Sequence, residues 1–384
     1  MPNAITLESA NHLVEPLLTD LRAIVDVDSG TYTPAGVAVV ADYLQPRFAA
    51  LGAEVERIAG DKMGPQLVVR LRGQGQGRIL LIGHMDTVFP EGEVARRPFR
   101  LENGRAYGPG VLDMKDGLLV GLYALRLLKE AGELPFAELT FICNSDEEIG
   151  SPESKPLIQR LARDVDAAFV LEPTADVAIL KVARKGVATY RLDVTGVSSH
   201  AGVKPEDGRN AILELAHKII AIQALNGALD GLTLNVGVAH GGERPNVVPD
   251  AAHALIDIRV TSPDHTARVE DMLRQIASES TIAGTTATIT GHFAHQPFQQ
   301  SERAKQLFDL TAAEAAALGL TLRGEATGGG SDGNTTAALG IPTLDGLGPA
   351  GGFAHNPGEY VEVASIAPRI ALLANTLRRM GVAS

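Results

Sequence analysis

The segment Gly83-His84-Met85-Asp86-Thr87 ends an apolar run, Ile79-Leu80-Leu81-Ile82, with a histidine and a carboxylate two residues apart. A run of that length suits a buried strand. Side chains alternate along a strand, so residues i and i+2 share a face. His84 and Asp86 can therefore meet at the strand's carboxyl end. A metal-bound imidazole commonly gives its other N–H to a carboxylate in this way. A polar strand end with a satisfied histidine explains the pair equally well, and on this stretch alone both readings stand.

Later clusters add ligands of the same kind: Asp113, Asp116, Glu147, Glu148, Glu172 and His355. Imidazole and carboxylate without thiolate suit a catalytic zinc, or cobalt or manganese. Such a set is too large for one open tetrahedral ion and sufficient for two ions sharing a carboxylate. A metal pair polarises a carbonyl and activates a water held between the ions. Glu147 and Glu148 would repel in one anionic pocket unless one binds metal and the other shuttles protons. Taken alone, Asp146-Glu147-Glu148 is equally a solvated acidic turn. Asp116 reads as a helix-start carboxylate rather than a ligand. The glycine run 328–330 lacks the Lys-Ser/Thr ending of a phosphate loop. His217, His240, His253, His265, His292 and His295 have no companion ligands at metal spacing, and most read as surface or loop residues.

The elements that must position these groups follow an α/β pattern. Helical spacing covers residues 8–26 and 34–51, the latter closing at Gly52. Strands are expected at 54–58, 66–72 and 79–82. A helix over 118–130, a strand at 139–144, a helix at 156–163 and a strand at 167–171 come next. Each polar cluster follows a strand, and open α/β sheets bind ligands at strand carboxyl ends. The texture changes near Gly186. Alternation over 187–194, helices at 210–225 and 263–278, and strands at 232–239, 251–260 and 287–291 spell β-α-β-β-α-β. We read 186–297 as an α+β, ferredoxin-like domain inserted into a mixed-sheet catalytic domain made of 1–185 and 298–384. Helices at 301–318 and 363–380 and a strand near 342–344 complete the chain.

Composition narrows the function. A net charge of −12 argues against nucleic acid and anionic membranes as partners. The one cysteine, Cys143, lies in an apolar run and reads as core in a reducing compartment. No basic start precedes an apolar h-region, and no apolar run approaches the roughly 20 residues of a membrane span. The expectation is a soluble cytoplasmic protein.

With these clusters in order, the chain resembles the di-zinc metallopeptidase family of bacterial glutamate carboxypeptidase, aminoacylase, tripeptidase and succinyl-diaminopimelate desuccinylase. Gly83-His84-Met85-Asp86-Thr87-Val88, Tyr107-Gly108-Pro109-Gly110 through Asp113-Met114-Lys115, and Asp146-Glu147-Glu148-Ile149-Gly150 resemble its successive metal motifs. The resemblance runs from about residue 10 to the C-terminus. It implies two Zn2+ per chain, with Co2+ or Mn2+ as substitutes. Asp113 would bridge them. His84 and Glu172 would complete one ion, and Glu148 and His355 the other. Glu147 would be the general base and Asp86 would orient His84. A cis Asp113–Met114 bond is implied as well. The inserted domain resembles the family's lid and dimerisation domain. His200, in Ser199-His200-Ala201-Gly202, would reach the partner subunit's site and hold an oxyanion. Asn246, Arg259, Gly329 and Gly330 resemble substrate-binding positions, with pairing to Asp257 or Glu214 as the alternative for Arg259. Arg184 and Lys185 are candidates for a glutamate side-chain pocket. The resemblance thus implies a homodimeric zinc carboxypeptidase releasing a C-terminal amino acid, with glutamate expected in that branch, from an N-acyl amino acid or peptide. An aminoacylase or dipeptidase is the alternative on the same scaffold, and a non-catalytic binding protein the distant one.

Overall fold

The computed structural model describes residues 5–382. The chain divides into two compact units. One comprises Met1–Ala183, Gln300–Ala326 and Ser331–Ser384, the other Arg184–Gln299 and Thr327–Gly330.

The first unit is built on a six-stranded sheet. Its spatial order is Glu54–Ile58, Gln66–Arg72, Glu138–Asn144, Arg78–His84, Ala167–Val170 and Thr343–Leu344. Arg78–His84 runs parallel to Glu138–Asn144 and to Ala167–Val170, and Thr343–Leu344 is parallel to Ala167–Val170. The two edge strands at the other side are antiparallel. The continuous apolar runs follow from burial on both faces. Ile79 and Leu81 join one core with the helices, whereas Leu80 and Ile82 pack on the opposite face with Leu157 and Ile158. Cys143 belongs to the first core, and burial pushes its thiol pKa up. The parallel arrangement brings the carboxyl ends of three strands together, and each leads into a polar cluster.

The second unit has an antiparallel sheet in the order Thr233–Gly241, Ala251–Val260, Gly186–Thr195, Thr286–His295. Along Gly186–Thr195, Ala188, Tyr190, Leu192 and Val194 are buried in a core with Leu215 and Leu273 of the helices Ala211–Gln223 and Pro263–Ser278. The succession is β-α-β-β-α-β. This unit also takes in Thr327–Gly330, which the sequence placed with the catalytic domain. The reason is local: Lys185 N–H donates to the Thr327 carbonyl at 3.0 Å.

Some expectations are corrected. The expected helix over 8–26 is two helices, Leu7–Asn11 and Val14–Val25. Pro16 has no N–H and its ring opposes a carbonyl one turn back, so it is accommodated in the first turn of a new helix. His295 is buried at the end of a strand that runs four residues past the expected end at Gly291. No helix among the described residues is long and apolar enough to cross a membrane.

Asp116 starts the helix Asp116–Glu130, as expected, yet it is fully buried and neither carboxyl oxygen is hydrogen-bonded. Burial raises its pKa well above the ordinary carboxyl value. A raised folded-state pKa means its stability contribution is lost as pH climbs from the unfolded value of ~3.9. Asp116→Ala is expected to stabilise the protein by about 1–3 kcal/mol at neutral pH. Urea unfolding at pH 5 and pH 8 should show a larger gain at the higher pH.

Candidate metal centre and active site

His84 is the last residue of its strand, so Asp86 already lies in the following turn. The histidine meets it mainly through the backbone: His84 Nδ1 is 2.9 Å from the Asp86 carbonyl and 3.4 Å from its Oδ1. The i, i+2 argument correctly placed Asp86 beside His84 but not the atom that holds the ring. The Asp86 carboxylate has other partners. It accepts the Thr31 hydroxyl at 2.7 Å and the backbone N–H groups of Glu147 and Glu148 at 3.2 and 3.3 Å. Asp86 thus joins the His84 turn to the turn after strand Glu138–Asn144.

Asp113 lies in a tight loop. Gly110 has a φ of +70°, and a Cβ there would sit 2.4 Å from Thr87 Cγ2. The Asp113–Met114 bond is cis. Asp113 Oδ1 is 3.2 Å from His84 Nε2, and Oδ2 is 3.2 Å from His355 Nε2. His84 Nε2 is 3.5 Å from Glu172 Oε1, and His355 Nε2 is 3.2 Å from Glu148 Oε2. Two ligand groups result, His84–Asp113–Glu172 and Asp113–Glu148–His355, each with its donor atoms within 4.8 Å of one another. They share Asp113. The five residues named from the sequence as metal ligands come together. His355 and Phe353 adopt left-handed φ values of 63° and 61°, so the ligand sits on a strained turn.

The electrostatics follow from packing imidazoles against carboxylates in a buried pocket. Burial opposes charge on His84, but hydrogen bonds with Asp113, Asp86 and Glu172 outweigh it and raise its pKa well above 6.5. Hydrogen bonds with Asp113 and Glu148 push His355 up to about 10. Asp113 is held below the carboxylate range: the two histidines overcome its burial. Glu147 and Glu148 are raised, first by burial; nearby carboxylates, Glu172 for Glu147 and Asp113 for Glu148, add to the rise. Two imidazoles and two glutamates around a shared aspartate fit a pair of divalent ions of the zinc, cobalt or manganese type.

Behind the ligands lies a network that the sequence did not mark. Buried Asp332 accepts from Asn144 Nδ2 and Ser151 Oγ, both at 2.5 Å. Asp146 accepts the N–H groups of Glu153 and Ser154 at 2.6 and 3.2 Å. These contacts fix the turn that presents Glu147 and Glu148. Thr327-Gly328-Gly329-Gly330-Ser331-Asp332 was noted as a loop, but nothing in its spacing signalled that Asp332 reaches Asn144.

The remaining candidates lie in the second unit. His200 and Val247 are partners in a short ladder, and Ala201 N–H donates to the Asn246 carbonyl at 3.0 Å, so His200 and Asn246 are neighbours. His200 is exposed and its Nδ1 accepts the Gly202 N–H. Arg259 binds Asp257 through Nε and Nη2 at 2.9 Å each, and Nη1 donates to the Gly328 carbonyl at 3.3 Å. Arg184 Nη1 donates to the carbonyls of Gly329 and Gly330 at 3.4 and 3.3 Å. Lys185 Nζ instead binds the Gly231 carbonyl.

Residues 80–379 match peptidase family M20/M25/M40. The chain belongs to that family. It is a hydrolase acting on amide bonds, with the mixed-sheet α/β fold of its relatives. It is 31% identical to carboxypeptidase G2 of Pseudomonas sp. (strain RS-16), over 98% of this chain and 92% of that protein. It is 28% identical to a succinyl-diaminopimelate desuccinylase of Shewanella loihica, over 84% of this chain and 90% of the relative. A solved tripeptidase of Staphylococcus aureus superposes with a TM-score of 0.82 at 25% identity, covering 96% of this chain and 98% of the other.

Two overlapping ligand groups make distinct forecasts. His355→Ala is expected to remove one of two bound ions, and Asp113→Asn to weaken both, by more than the roughly 10–100-fold cost of losing an outer partner. Elemental analysis after chelator competition checks this; equal losses in both variants would contradict it. Metal-binding histidines must be neutral, whereas the carboxylates beside His84 and His355 hold both imidazole pKa values above the ordinary 6.5. Adding zinc in dilute buffer should therefore release protons, detectable with a pH indicator.

Proposed function

We propose that this M20-family hydrolase is a zinc-dependent carboxypeptidase that cleaves the amide bond to a C-terminal amino acid, with glutamate as the preferred residue. The observation that carries the reaction is the shared Asp113 between two ligand groups, with Glu147 beside them. Two divalent ions held there would supply Lewis acidity to the scissile carbonyl and lower the pKa of an attacking water. The chain's own residues do the rest. Asp86 orients His84 and fixes the Glu147 backbone. Glu147 has no hydrogen-bond partner for its carboxylate in the site and a raised pKa, which suits a group that takes a proton from water and gives it to the leaving nitrogen.

Substrate recognition falls to the second unit. Asn246 and Arg259 would hold the free α-carboxylate, and His200 of the partner subunit the oxyanion, in a homodimer formed through residues 186–297. The Gly329–Gly330 backbone would line the side-chain pocket. Glutamate preference is supported by similarity to carboxypeptidase G2 and by two guanidinium groups, Arg184 and Arg259, converging on one glycine loop. Arginine binds carboxylates in a bidentate manner. Similarity to a succinyl-diaminopimelate desuccinylase keeps an N-acyl amino acid hydrolase as the second reading. The lone buried thiol supports a cytoplasmic location.

Glu147→Gln is expected to lower kcat by at least about 100-fold while two metal ions remain bound. A panel of N-acyl amino acids and dipeptides ending in Glu, Asp, Ala and Phe tests the substrate. Arg184→Ala should raise KM for the glutamate substrate more than for the alanine one. Equal or faster wild-type turnover of Ala and Phe substrates would sink the glutamate assignment.

A further inference from the structure

The loop that delivers Asp113 is irregular, so its backbone N–H groups must find partners outside any ladder. Three of them end on one side chain. Glu359 Oε1 accepts from Leu112 at 2.8 Å and Asp113 at 2.9 Å, and Oε2 accepts from Gly110 at 3.1 Å. Glu359 is fully buried. It sits four residues after His355, immediately before the strand Tyr360–Glu362, which pairs with Arg105–Tyr107. One carboxylate therefore ties the segment bearing His355 to the segment bearing Asp113.

We propose that Glu359 is a positioning residue for the metal pair: it fixes the Asp113 backbone so that its two carboxylate oxygens face His84 and His355 separately. The inference rests on reading Asp113 as the shared ligand. A carboxylate fits the task better than an amide would. All three loop groups are donors, and only a carboxylate offers acceptors at both ends. Glutamine could keep the Leu112 and Asp113 contacts but would turn an N–H2 toward the Gly110 N–H. Burying an anion beside other anions is costly unless it is hydrogen-bonded. Here three backbone donors meet it. Sequence reading misses Glu359, an ordinary polar residue of a turn some 246 residues from Asp113.

The test uses the full chain loaded with zinc and, separately, with cobalt. Glu359→Gln is expected to weaken zinc binding by about 10-fold and Glu359→Ala by about 100-fold, the range for an outer partner of a ligand. The visible spectrum of the cobalt form should shift in both. A control, Glu133→Ala, removes the Arg378 ion pair elsewhere in the same unit. It should lower Tm without changing zinc affinity or the cobalt spectrum. If Glu359→Ala does not fold, Glu359→Gln decides. Wild-type affinity and spectrum in the foldable Glu359 variants, or an equal affinity loss in Glu133→Ala, would overturn the proposal. Asp113→Asn separates the two levels: if it keeps both ions, the shared-ligand reading fails and Glu359 is only a loop cap. If it loses them while Glu359 variants do not, the positioning role alone fails.

Discussion

The catalytic unit depends on buried carboxylates that accept backbone N–H groups. Loops at the ends of parallel strands leave donors that no ladder can satisfy, and an unmet buried donor is costly. Asp86 takes the N–H groups of Glu147 and Glu148. Asp146 takes those of Glu153 and Ser154. Glu359 takes three from the Asp113 loop. A charged acceptor forms shorter and stronger bonds than a carbonyl. Each of these anions therefore pins a loop more firmly than backbone contacts could, and offsets part of its own desolvation.

That solution concentrates negative charge around the ligands. Hydrogen bonds with neighbouring carboxylates hold the pKa values of both histidines up, and burial keeps Glu147, Glu148 and Asp332 raised. Asp113 is the exception: hydrogen bonds with His355 and His84 outweigh its burial and hold it below the carboxylate range. A divalent ion is the largest local charge a site can contain and reverses such shifts. Raised histidine and carboxylate pKa values are thus the counterpart of a cation pair. The arrangement needs no thiolate, in keeping with a single cysteine placed in the core.

Much of this was legible locally. The run Ile79–Ile82 gave a strand, and the clusters after successive strands gave a common end of a sheet. Three clusters, carrying His84, Asp113 and Glu148, resembled known metal motifs in order. The failures have physical causes. Pro16 divided a stretch whose apolar spacing was otherwise continuous. Strand alternation could not tell that His84 rests on the Asp86 carbonyl, since side-chain periodicity is silent about backbone atoms. Asp332, Asn144 and Glu359 were missed because their partners are 188 and 246–249 residues away. Long-range hydrogen bonds leave no trace in a window of sequence.

The division of labour between the units has a consequence for selectivity. The ligand set and Glu147 are generic to amide hydrolysis, and such machinery does not choose a substrate. The residues proposed to choose are already committed. Arg259 holds Asp257 through two nitrogens, and Arg184 holds two glycine carbonyls. These contacts fix both guanidinium groups before any ligand arrives, which reduces the rotamer entropy lost on binding. They also set a threshold. A neutral group cannot match the carboxylate and carbonyl oxygens it would displace, whereas a carboxylate exchanges like for like or better. On the proposed reading, selection for an acidic residue would follow as much from what Arg184 already holds as from its positive charge.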